Sequence, residues 1–194
     1  AQELAVLGNY VEVWLAKEGH DGVVGINYLE KIQLATPAAA LGAMLAGIDV
    51  VLMGAGVPRE IPQLLTDLAA GRPGGVSVEV HGADEPSRVE VDPVGLLGIP
   101  LPPLRRPAFL AIISAAILAT YLARDPVTRP DGFVVEGATA GGHSAPPRGK
   151  LVLDERGEPV YGPRDEVDLS AIAKLGLPFW VAGGSGTPEG LVAA

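Results

Sequence analysis

The sequence predicts an α/β fold built from βαβ units around a parallel sheet. Short apolar runs rich in β-branched residues alternate with segments of helical spacing along most of the chain. Each apolar run closes on glycine or a polar residue at its C-terminal side, the end that carries the ligand site in such folds. Doubly wound sheets and β/α barrels share this alternation. A barrel takes about 250 residues, so 194 residues fit a TIM (β/α)8 barrel incomplete at both ends. The chain opens without a methionine and stops inside a helical pattern, so it reads as a piece of a longer protein, one domain over 1–194.

The elements follow in order. Residues 1–17 place Leu4, Leu7, Val11, Trp14 and Leu15 at helical spacing. A short strand is expected at 22–26. Thr36 and Pro37 offer an N-cap and a first-turn proline for a helix reaching residue 47. The run 49–53 is the next strand, closed by Gly54, Ala55 and Gly56, and 58–70 is a helix ending in the turn 71–75. Residues 76–80 alternate as a strand. Pro86, Pro93, Pro100, Pro102, Pro103 and Pro107 mark 82–107 as a loop insertion. Strand 109–113, helix 115–123 and strand 132–136 resume the pattern. A second insertion, 144–167, precedes helix 168–175, strand 178–182 and a helix from 187.

Composition narrows the function. Acids outnumber bases 23 to 14, a net charge of −9, so no basic patch invites a nucleic acid. Cysteine is absent, which removes disulfides, thiolate catalysis and cysteine zinc sites. No histidine spacing suggests a metal site. No apolar run reaches about 18 residues and no signal peptide opens the chain. A cytoplasmic protein with a small-molecule substrate, and no nucleic-acid or membrane partner, is expected.

Two stretches could carry chemistry. "FWVAGGSGTPEG", 179–190, runs an apolar strand into Gly183, Gly184, Ser185 and Gly186, with Thr187 and Pro188 opening a helix. Such a turn can bring a phosphate onto backbone N–H groups, although an ordinary glycine-rich turn has the same composition. "VVEGATAGGH", 134–143, places His143 behind Gly141 and Gly142 just past a strand end. Glycines admit a flat ligand, and an imidazole there can take a proton near neutrality. A surface loop histidine is the plainer alternative. His20 and His81 occupy turns, "GAGVPRE" at 54–60 is half a dinucleotide fingerprint, and Asn27 lies just beyond the expected first strand as a turn former or ligand donor.

Together these segments resemble the nitronate monooxygenase family of FMN-dependent TIM barrels, also known as 2-nitropropane dioxygenases. The resemblance rests on "GIN" at 25–27, "VVLMGAGVP" at 50–58, "FWVAGGSG" at 179–186 and, most specifically, E-G-x-x-A-G-G-H at 136–143. Flavin-dependent enoyl-acyl-carrier-protein reductases share the barrel and the A-G-G-H string. The resemblance implies FMN as cofactor, with Gly141 and Gly142 against the flavin and Asn27 near its ring. It implies Glu136 on the ribityl chain and Gly183, Gly184 and Ser185 at the phosphate. His143 would deprotonate a nitroalkane or position a nitronate, with oxygen as co-substrate; an oligomer is compatible.

Departures from the family pattern are Thr139 in place of a second acid and no lysine after strand 109–113. The long insertion after His143 is expected to lie over the site, and the family's opening and final strands are missing. Two alternatives remain open. One is an NAD(P)H-dependent enoyl-thioester reductase; the other is a flavin- or phosphate-binding barrel without turnover.

Overall fold

The computed structural model describes residues 1–141 and 145–193. Helix α1 (Gln2–Ala16) leads to strand β1 (Gly25–Leu29), and a 3-10 turn (Gln33–Ala35) with α2 (Thr36–Leu45) leads to β2 (Val50–Gly54). Helix α3 (Ile61–Ala69), strands β3 (Gly74–Val78) and β4 (Ser87–Val91), and α4 (Pro93–Leu97) precede β5 (Ala108–Ile113). The chain continues through α5 (Ala116–Ala123), β6 (Gly132–Glu136), α6 (Leu169–Ala173), β7 (Phe179–Ala182) and α7 (Pro188–Ala193).

Five strands form one parallel sheet in the order β1-β2-β5-β6-β7. The order follows the chain without reversing. A doubly wound sheet reverses at its switch point, so that alternative falls away, while the closed circuit of a complete TIM barrel is not present among the described residues.

Register sorts the side chains into two faces. Val51, Met53, Phe109, Ala111, Ile113, Phe133 and Val135 share the face buried in the main core, with Ile26 and Tyr28 packed against it. The opposite face carries Leu52, Leu110, Ile112 and Val134, all half-buried, and Trp180 is 54% exposed beside them. Both faces are therefore apolar. The near-continuous hydrophobic runs of the strands reflect this, since a one-sided sheet would alternate with polar residues.

The helical layer is tightest where α1 crosses α2. Helix α2 is buried through Thr36–Met44, with small residues that let backbones approach. A Cβ at Gly42 would overlap the Val6 carbonyl oxygen and lie 2.9 Å from Val6 Cα, so only glycine fits that crossing. Tyr28 reaches into the same layer, its hydroxyl 2.9 Å from Asn9 Oδ1 and 3.1 Å from Ala39 O. Burial pushes its phenol well above the ordinary tyrosine range.

Three sequence expectations change. The first strand lies at 25–29 rather than 22–26, because pairing begins where Gly25 meets Val50, and Val23 stays 78% exposed. Residues 74–78 do not join the parallel sheet; they pair antiparallel with 87–91, so part of the proline-rich insertion is a strand and a short helix. Thr36 does not cap α2: its hydroxyl donates back to Ile32 O at 2.8 Å, closing the preceding 3-10 turn.

At the N-terminal end of the sheet, Asp49 accepts from Lys17, from Val24 N–H at 3.0 Å and from Arg105 at 2.8 Å. Asp131 accepts from Phe109 N–H at 2.7 Å and Arg106 at 2.8 Å. These acids pin the strand entries and lie at the end opposite the glycine-rich loops. No described helix is long and apolar enough to cross a membrane.

Candidate functional site

The loops at the C-terminal ends of β1, β2, β5 and β6 enclose a cavity of about 250 Å³, lined among others by Lys31, Ala55, Ser114, Glu136 and Pro146. Ala55 has φ 58, the one positive value at a non-glycine among the described residues. Holding a non-glycine residue there costs about 1–3 kcal/mol and needs support on every side. The supports are visible: a Cβ on Gly54 would stand 3.0 Å from Ile112, and one on Gly56 would collide with the Glu30 carboxylate. Glu30 is held in turn by Gln33 at 2.9 Å, and its N–H donates to Gly54 O.

The turn after β7 joins this region from the edge. Gly183 and Gly184 have φ 101 and 77. A Cβ on Gly183 would lie 2.5 Å from Ala140 N, and one on Gly184 3.1 Å from the Thr139 hydroxyl. Gly137 N–H donates to Ala182 O at 3.1 Å. The loop leaving β6 and the loop leaving β7 thus lie backbone against backbone, and glycine is required for that contact. Gly141 and Gly186 instead face open space. Ser185 is half-buried beside them. Thr187 caps α7 by accepting from Gly190 N–H at 3.0 Å.

The structure brings Glu136, Gly141, Gly183, Gly184 and Ser185 to one end of the sheet. Gly142 and His143 lie outside the described residues. Asn27 lies elsewhere. It is inside β1 rather than beyond it, and register aligns it through Leu52 and Leu110 with Gly132. Glu136 is four residues further along, roughly 13 Å at 3.3 Å per residue. Asn27 and Glu136 share a sheet face but not a level.

Sequence reasoning missed the groups contributed by the second insertion. Residues 145–167 fold back across the strand ends as a strap. Its middle closes as a narrow turn: Val160 N–H donates to Val152 O at 2.9 Å, and Asp154 accepts from Arg156 and Glu158 N–H at 2.8 and 2.9 Å. Tyr161 donates to Ala145 O at 3.0 Å. Arg148 ties the strap down: its guanidinium donates to Ser114 O and, at 2.6 Å, to Arg164 O, and its N–H donates to Asp165 at 2.7 Å. Backbone N–H bonds from Arg148 and Gly162 hold the Asp165 carboxyl below the usual carboxylate range. An arginine in a proline-rich loop that holds three of them gives no periodic signal, so the residue string alone offers no clue to this clamp.

The strap creates a second, larger cavity of about 560 Å³ on the far side of the 137–138 backbone, lined among others by Val135, Ala138, Tyr161, Val167, Leu169 and Val181. A small pocket of about 20 Å³ adjoins both, sharing Ser114, Glu136, Ala145 and Pro146 with the smaller cavity and Gly137, Ala138, Tyr161 and Asp165 with the larger. Arg148 lines that small pocket together with the carboxylates Glu136 and Asp165. Among the described residues no group of three His, Cys, Asp or Glu side chains could hold a metal ion. Against known proteins, no family model matches the chain, and no curated protein matches its sequence significantly.

Proposed function

We propose that this chain is an FMN-dependent oxidoreductase of the nitronate monooxygenase type, its five β/α units forming part of a TIM barrel. The observation that carries the reading is the seam between Gly183 and Ala140, which joins the glycine turn after β7 to the A-G-G-H string after β6. These are the two segments on which the resemblance chiefly rests. The half-exposed apolar sheet face, with Leu52, Leu110, Ile112, Val134 and Trp180, has the character of a barrel interior.

The residues present suit the phosphate end of FMN. Backbone N–H groups of a turn can form a concave anion cradle, and Gly183 and Gly184 lie in such a turn with φ 101 and 77, so Gly183, Gly184 and Ser185 would hold the phosphate. The open space at Gly141 and Gly186 admits close approach of a ligand to the backbone. Glu136, half-buried at the strand end, would accept from a ribityl hydroxyl. FMN, when bound, supplies the electron chemistry with oxygen. The chain's part is to position a substrate and move a proton, and His143 is the base that would take the acidic C–H proton of a nitroalkane.

The visible spectrum of the purified full-length protein, followed by oxygen uptake with an alkyl nitronate, tests the reading. A yellow protein that consumes oxygen supports it. Flavin bleached by NADPH and re-oxidised by a crotonyl thioester, with nitronates inert, would make the protein a reductase. A colourless protein would remove the cofactor. His143→Asn should keep its flavin while turnover of neutral nitroalkanes falls by at least about 10²-fold. Full activity in that variant removes His143 from the mechanism.

A further inference from the structure

We infer that the cavity of about 560 Å³ under the strap is a second ligand site, separate from the one proposed for FMN, for an apolar molecule whose polar end donates hydrogen bonds and carries no negative charge. Its volume falls within the roughly 300–1,000 Å³ of small-molecule sites. Its wall is mainly apolar, formed by Val135, Ala138, Pro163, Val167, Leu169 and Val181. It lies at the C-terminal ends of β6 and β7, where α/β folds carry their ligands. Register separates it from the flavin reading. Val135 pairs with Val181 on the sheet face turned to the main core, and Val134, Trp180 and Glu136 belong to the opposite face.

The ionisable side chains decide the polar end. Asp165 and Glu166 line the cavity, and among the described residues no lysine, arginine or histidine does. Asp165 is ionised at neutral pH, because backbone N–H bonds from Arg148 and then Gly162 hold its carboxyl below the usual carboxylate range. Those donors are neutral amides, one on each oxygen, so each oxygen keeps room for a further donor. The Arg148 guanidinium directs its bonds to Ser114 O and Arg164 O instead, and among the described residues Asp165 is in no ion pair. Glu166 is exposed. An anion entering here meets two carboxylates and an apolar wall, and leaves water without a partner. An ammonium or hydroxyl finds acceptors, while an alkyl chain gains about fourfold in affinity for each buried methylene.

Calorimetric titration at neutral pH with octylammonium, octanol and octanoate tests the site whether or not flavin is bound. Octylammonium and octanol should each bind at least about tenfold tighter than octanoate, and butylammonium at least about tenfold weaker than octylammonium. Val181→Phe, which fills the cavity, should weaken octylammonium and octanol at least about tenfold. Glu166→Lys, at an exposed position, should weaken octylammonium and tighten octanoate by at least about threefold each and leave octanol unchanged. Octanoate as tight as octylammonium, no gain from butyl to octyl, or octylammonium unchanged in either variant overturns the inference. So does release of bound flavin in step with octylammonium binding, which would make the two sites one. A colourless protein that gives the expected titrations keeps this site and loses the flavin reading.

Discussion

Replacing Gly183 with alanine probes the seam on which the functional reading rests. Two costs add. Alanine at φ 101 loses about 1–2 kcal/mol relative to glycine in left-handed backbone. Its Cβ would also stand 2.5 Å from Ala140 N and 2.9 Å from Ala140 Cα, where ordinary contact begins at 3.4 Å. One of the two loops must retreat by nearly an ångström, and overpacking of that kind costs about 1–3 kcal/mol. With partial relaxation the sum is about 3 kcal/mol. Urea denaturation should show that loss as a lower midpoint with unchanged slope, and retained flavin should fall in the same variant. Gly186→Ala is the control, because its Cβ enters open space without a positive φ; its midpoint should match wild type within about 0.5 kcal/mol. Equal midpoints for the two variants would refute the claim that the loops are locked through Gly183.

Further outcomes follow from the packing and the charges. Gly42→Ala should lower stability by about 1–2 kcal/mol, because collision with the Val6 backbone outweighs the roughly 1 kcal/mol helix-propensity gain. Gly8→Ala, with nothing within 4 Å, should instead raise stability by up to about 1 kcal/mol; a shared sign in urea melts would count against the α1–α2 crossing. Asp49 is held down to about 2, chiefly by the Lys17 hydrogen bond and then by Val24 N–H. An acid with a depressed folded pKa stabilises above its unfolded value of about 3.9 and loses that contribution as pH falls toward 2. Asp49→Asn should therefore cost about 1 kcal/mol at neutral pH after screening, with the gap to wild type closing between about pH 4 and 2. A gap that persists at pH 2 would assign the loss to packing.

Much of the fold was legible because its signals are local. Residues 132–136 form a strand within the expected bounds, since an apolar β-branched run flanked by a turn has few alternatives. Pro188 after Thr187 placed α7 in the same way. The antiparallel pairing of 74–78 was hidden because its partner, 87–91, carries Ser87, Arg88 and Glu90 and reads as loop until paired. The candidate site divides along the same line. Glycines behind strand ends marked Gly141, Gly183 and Gly184, since glycine advertises its own backbone requirement. Arg148, Lys31 and Ser114 carry no such mark.

By itself the sequence determined the alternation of elements, the acidic surface without cysteine, and the two glycine-rich loops, all properties of neighbouring residues. Only the tertiary structure decided that the strands follow chain order, that Asn27 and Glu136 stand at different levels, and that a strap from 145–167 brings Arg148 onto the end of β5. The reason is physical. Strand order, register and a clamp spanning 34 residues depend on which surfaces exclude water together, and no short window of the chain contains both partners.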